Sequence, residues 1–122
     1  MTERKRILIV DDDKFYATMV TRILENSYVC EQHENAQNAL TAYKQFEPHL
    51  ILTDFQMPGM DGYELAKALR QDGYQGRITL MTTSAAYARR LHDDLDNHFD
   101  EVLQKGQGWD SFTGALDRLL SQ

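Results

Sequence analysis

One cysteine, Cys30, in a chain of 122 residues excludes an internal disulfide and suits a reducing compartment. No partner pattern surrounds Cys30, so it reads as a strand residue rather than a catalytic thiol. No apolar stretch reaches membrane length and no signal-peptide core is present, which argues against a membrane span and makes the cytoplasm the default location. Positive charge is scarce: 13 Lys and Arg stand against 19 Asp and Glu, a net charge of -6. That balance argues against non-specific binding to nucleic acid or to an anionic membrane. The only local basic run, Arg4-Lys5-Arg6, reads as a polar lead-in to a buried strand. Glycine-rich phosphate loops of the GxGxxG or Walker type are missing, as are repeats, low-complexity segments and linkers. The length suits one domain spanning 1–122, large enough to bury a core.

Apolar runs alternate with helical periodicity along the whole chain. Arg6 to Val10 reads as a first strand. Tyr16, Met19, Val20, Ile23 and Leu24 then recur at the spacing of one helical face. Tyr28 to His33 suggests a second strand, and Ala36, Ala39, Leu40 and Tyr43 mark a second helix, with Pro48 beyond its end. Leu50 to Thr53 is the third strand. Gly62, Leu65, Ala66 and Leu69 stripe a third helix that Asp72-Gly73 ends. A fourth strand is expected over Ile78 to Thr82, followed by a helix with Leu91 and Leu95 on one side. Glu101 to Gln104 is a short fifth strand. After the Gly106-Gln107-Gly108 loop, Phe112, Ala115, Leu116, Leu119 and Leu120 line a last helix. Five β-then-α units require crossover connections and therefore a parallel sheet. The expected fold class is α/β: a doubly wound five-stranded parallel sheet covered on both faces, with its site at the strand carboxyl ends.

That edge collects the chemistry. Asp11, Asp12 and Asp13 follow the first strand directly, and Asp54 follows the third. Thr82 ends the fourth strand and Lys105 follows the fifth. Several carboxylates close together are costly unless a cation or proton intervenes. A concave all-oxygen site suits Mg²⁺. A lysine ammonium can hold a phosphoryl oxygen as a point charge, a threonine hydroxyl can donate to another, and an aspartate beside Mg²⁺ can form an acyl phosphate. Taken singly, the bland readings stand beside these. Asp11 and Asp12 could cap the first helix, Asp13 is better read as a cap than a ligand, and Asp61 as the cap of the third helix. Asp93, Asp94, Asp96, Asp100 and Glu101 surround His92 and His98. His92 and Asp96 have i,i+4 spacing that could bind metal, but a solvated face accounts for the cluster. His33 and His49 lack a ligand pattern. Trp109, Phe112 and Leu116 read mainly as core, although part of that stripe could meet a partner, and the roles of Tyr63 and Tyr87 stay open.

The run Ile7-Leu8-Ile9-Val10-Asp11-Asp12-Asp13, the segment Asp54-Phe55-Gln56-Met57-Pro58-Gly59-Met60-Asp61-Gly62, then Thr82 and Lys105, together resemble the receiver domain of two-component response regulators. Over nearly the whole chain the pattern is similar to the stand-alone chemotaxis-type receiver. The resemblance implies a flavodoxin-like (βα)5 sandwich in which Asp54 accepts a phosphoryl group from a phosphohistidine. It implies that Asp12, Asp54 and the backbone carbonyl of Gln56 ligate Mg²⁺, with Asp11 acting largely through a bound water. Thr82 and Lys105 would hold the phosphoryl oxygens, and Gln56 and Ser84 would tune the rate. The implied partners are a histidine kinase or histidine phosphotransfer protein and a downstream protein target, for a monomer or weak dimer that catalyses only its own phosphorylation and dephosphorylation.

Three positions depart from that family. Val102 replaces a tyrosine or phenylalanine that normally swings inward with the threonine. Gly106 replaces the proline after the lysine, so the Lys105–Gly106 bond is expected trans, because a cis bond to a non-proline costs about 2.5–4 kcal/mol. Thr83 replaces a smaller residue. Rival readings are a degenerate receiver that binds partners without phosphate, an Mg²⁺-dependent aspartate-nucleophile phosphatase, and a flavodoxin-like cofactor binder. The phosphatase pattern Asp-x-Asp-x-Thr/Val fails at Phe15. Three aspartates where a cofactor phosphate would sit argue against the cofactor binder. The chain either acts alone as a receiver or belongs to a longer protein.

Overall fold

The computed structural model describes residues 3–121. Its elements run β1 (Arg6–Val10), α1 (Lys14–Leu24), β2 (Val29–His33), α2 (Ala36–Phe46), β3 (Leu50–Asp54), α3 (Gly62–Gln71), β4 (Arg77–Thr82), α4 (Ala85–Leu91), a 3-10 turn (Leu95–Asn97), β5 (Glu101–Gln104) and α5 (Trp109–Leu120). All strands pair in parallel, in the order β2-β1-β3-β4-β5. The chain leaves β1 for β2 on one side and returns to β3 on the other. The crevice between the carboxyl ends of β1 and β3 is therefore the switch point where ligands gather in such sheets.

Side chains alternate along each strand and so feed two cores. Ile7, Ile9, Leu50, Leu52 and Met81 face α1 and α5, meeting Val20, Leu24, Phe112, Leu116 and Leu120. Leu8, Val10, Ile51, Ile78 and Leu80 face α2, α3 and α4, meeting Ala39, Leu65, Leu69 and Ala88. The central strands are apolar on both sides because helices cover both sides.

Most helices begin on a short polar side chain that takes a first-turn amide, as the expected caps do. Asp13 accepts from Tyr16, Asn35 from Asn38 and Ser84 from Tyr87. Asp61 forms a full capping box with Glu64. The basic run 4–6 has a structural job. Arg4 donates to the Glu25 carbonyl at the end of α1, Lys5 to that of Leu120 in α5, and Arg6 to those of Phe46 and Glu47 at the end of α2. Each cation thus sits at the negative end of a helix dipole.

The structure corrects several boundaries. Tyr28 lies outside β2 because its amide bonds back to Leu24 in the final turn of α1. β3 extends to Asp54, and β4 starts at Arg77, which pairs with Leu50. The expected single face of Leu91 and Leu95 does not exist: α4 ends at Leu91, which is exposed, while Leu95 is buried in the separate 3-10 turn. His92 breaks the helix with extended backbone (φ -137°, ψ 101°), and its ring stacks on Tyr63 at 3.6 Å. Tyr63 is buried and Tyr87 exposed.

Candidate functional site at the sheet switch point

β1 and β3 run side by side in register, Val10 beside Thr53, so the residues that follow them emerge together. Asp11, Asp12 and Asp54 each offer a carboxylate oxygen, and these atoms lie within 4.8 Å of one another. Lys105 enters from the end of β5, its amide bonded to the Thr82 carbonyl at 2.7 Å. Its ammonium reaches Asp11 Oδ2 at 3.0 Å and Asp54 Oδ1 at 3.1 Å. Asp11 is buried, and its other oxygen accepts the Asp13 amide at 2.9 Å. Asp12 is exposed at the rim.

The charges do not balance. Burial, then the neighbouring charge of Asp11, pushes the Asp54 carboxyl up to about 6, although Lys105 opposes them. For Lys105, burial works to lower the pKa, but the hydrogen bond to Asp11 and the charges of Asp54 and Asp11 outweigh it, and the net direction is upward. Three carboxylates against one ammonium leave an acidic, all-oxygen pocket that fits a hard divalent cation such as Mg²⁺.

The β3–α3 loop is shaped around Asp54. The Gly62 amide donates to the Phe55 carbonyl at 2.7 Å. A Cβ at position 62 would lie 2.2 Å from the Asp54 backbone oxygen, so only glycine lets α3 start against the end of β3. Gln56 lies exposed on this loop, two residues past Asp54.

Thr82 is buried at the end of β4, where its hydroxyl accepts the Ser84 amide at 3.2 Å and donates to the Ser84 carbonyl at 3.3 Å. The hydroxyl thus faces the β4–α4 loop. Gln104, which was not singled out from the sequence, ties β5 to that loop, its Oε1 accepting the Ala85 amide at 3.2 Å. Thr83 is exposed, and Val102 packs at the edge of the core under α4. The Lys105–Gly106 bond is trans, as are all peptide bonds of the described residues, and Gly106 takes φ 89°.

The remaining candidates fall on the bland side. Asp94 pairs with His98 and Tyr63, Asp96 with Arg89, and Asp100 with Arg70 and Arg77. His33 pairs with Glu31, and His49 accepts the Arg6 amide. Cys30 is half-buried in β2, where burial, then the charge of Glu25, pushes its thiol up to about 11, the opposite of activation. No described helix is long and apolar enough to cross a membrane.

A parallel five-stranded sheet with an acid cluster and a lysine at its switch point defines a class, and comparison with known proteins agrees. The family model for the response regulator receiver domain matches residues 7–117. The chemotaxis protein CheY of Bacillus subtilis is 40% identical over 118 residues, covering 95% of this chain and 98% of that protein. The DNA-binding response regulator MtrA of Mycolicibacterium smegmatis is 39% identical over 105 residues, which are 85% of this chain but only 45% of MtrA. Among solved structures, the response regulator TrrA of Thermotoga maritima in complex with Mg²⁺-BeF superposes with a TM-score of 0.84 at 28% identity, covering 94% of this chain and 98% of that one. The chain belongs to the response regulator receiver family of two-component signal transduction.

Proposed function

We propose that this chain is a single receiver domain, residues 1–122, whose Asp54 accepts a phosphoryl group from a phosphohistidine of a histidine kinase or histidine phosphotransfer protein. The observation that carries this reading is one ammonium, Lys105, shared between Asp11 at 3.0 Å and Asp54 at 3.1 Å inside a three-carboxylate pocket. Phosphoryl transfer needs alignment and charge neutralisation more than covalent help from the protein. An Asp54 oxygen would form the new O–P bond as the P–N bond breaks, and the imidazole would leave with the electron pair and take up a proton. Lys105 would follow the phosphoryl oxygens as the charge moves outward from Asp54. The Thr82 hydroxyl, by leaving Ser84, would donate to another oxygen and pull on the β4–α4 loop.

Asp11, Asp12, Asp54 and the backbone carbonyl of Gln56 would hold Mg²⁺, which supplies positive charge to the transferring group. The TrrA structure contains Mg²⁺-BeF in that protein, and the acid cluster here supports the same use. The chain would act as a switch in the cytoplasm, catalysing its own phosphorylation and dephosphorylation and binding a downstream protein in one state.

Incubation with acetyl phosphate and Mg²⁺ followed by intact-mass measurement tests the reading. Wild type gains one phosphoryl group and Asp54→Ala gains none. A wild type that stays unmodified, and that also fails to bind beryllofluoride, contradicts it.

A further inference from the structure

The loop that carries Lys105 turns on two glycines, the residue type that restrains the backbone least. Gly106 and Gly108 both adopt positive φ, at 89° and 95°, with only Gln107 between them. The anchor comes from the opposite side of the pocket. Tyr16, in the first turn of α1, lies under the lysine, with the ammonium 4.3 Å from its ring centroid. The Tyr16 ring leans on Trp109 at 5.8 Å, and Trp109 meets the buried Phe112 edge-on at 5.4 Å. The Asp13 cap fixes this turn by accepting the Tyr16 amide at 3.1 Å. A continuous aromatic strap therefore runs from the core beneath α5 to the ammonium.

Among the described residues, the ammonium also pairs with Asp11 and Asp54. Those oxygens are what a divalent cation and an incoming phosphoryl group would engage, so the ion pairs weaken when the site is used. The ring face itself is engaged by neither the cation nor the phosphoryl group, and stays available to the ammonium. Attraction between an ammonium and a ring face is worth more in a desolvated setting, and Lys105 keeps only 13% of its side chain exposed.

We propose that Tyr16, buttressed by Trp109, is a positioning residue that holds the Lys105 ammonium over Asp54 from outside the glycine loop that carries it. The proposal rests on the reading of Asp54 as phosphoacceptor. Two measurements test it. In metal-free protein, the Lys105 ε-methylene NMR signals, identified by their loss in Lys105→Ala, should lie upfield because of the ring current. Tyr16→Phe should keep that shift and Tyr16→Leu should abolish it. With acetyl phosphate and Mg²⁺, Tyr16→Leu should slow phosphorylation roughly tenfold, and Tyr16→Phe should restore most of the rate. Trp109→Leu should give a smaller loss in the same direction. In a Lys105→Ala background, Tyr16→Leu should have no further effect. A Tyr16→Leu protein as fast as wild type, or one that loses as much rate without Lys105 as with it, overturns the proposal while leaving Asp54 as acceptor. A wild type that takes up no phosphoryl group overturns both.

Discussion

Asp54 stands 3.1 Å from an ammonium, yet burial and the charge of Asp11 outweigh Lys105 and push its carboxyl up from 3.8 to about 6. The sign of the consequence follows from linkage. A carboxyl whose pKa is raised by folding keeps its proton in the native state where the unfolded chain has lost it. Stability contributed by Asp54 is therefore full below the unfolded value near 3.8 and falls as pH rises towards about 6. Above that, the folded protein carries the whole cost of holding the Asp54 charge beside Asp11. Urea melts of metal-free protein should show Asp54→Asn more stable than wild type at pH 7, with the gap closing towards pH 4. Equal stability at both values would mean that the pocket is not strained by charge. The aspartates were legible as a group from their places behind two apolar runs. Tyr16 was not: its spacing marks it as one more residue on the apolar face of α1, and only the approach of β5 and α5 turns its ring toward Lys105.

Single elements account for how firmly the acid edge is built. α3 begins where Asp61 and Glu64 cap each other, and Gly62 presses against the Asp54 carbonyl. Gly62→Ala should force that carbonyl aside, costing about 1–3 kcal/mol in a chemical melt and slowing phosphorylation. A melt unchanged from wild type would show that the end of β3 is free to move. Strands and long helices were readable from sequence because their pattern is strong: buried parallel strands are uniformly apolar, and α1, α2, α3 and α5 each carry an apolar stripe. α4 was misread for a physical reason. Leu91 and Leu95 keep helical spacing, but His92 stacks flat on Tyr63 and breaks the helix between them. A ring contact between α3 and the end of α4 is tertiary, and no local pattern announces it. Gln104 holding the Ala85 amide was hidden in the same way. It gives the β4–α4 loop a polar tether to β5, on a face where Val102 offers no aromatic.

For the molecule as a whole, the two cores set the sheet and the sheet sets the pocket, so the global stability and the site's charge are linked. The net charge of -6 adds to the local crowding of Asp11, Asp12 and Asp54. A cation that binds only the native state stabilises it in proportion to its occupancy. Millimolar Mg²⁺ should raise the melting temperature of wild type, and by clearly less in Asp12→Asn; a melting temperature indifferent to Mg²⁺ would count against the acid cluster as a metal site. Fold class and family were legible from the order of elements and the motif after β3. The tether through Gln104 and the strap through Tyr16 were not, because both join segments distant in the chain. The most direct test of the central claim is to locate the phosphoryl group. Protein treated with acetyl phosphate and Mg²⁺ is reduced with borohydride, which converts an aspartyl phosphate to homoserine, and is then mapped by peptide mass. The account predicts homoserine at position 54 alone; homoserine at 11, 12 or 13 with Asp54 intact would contradict it.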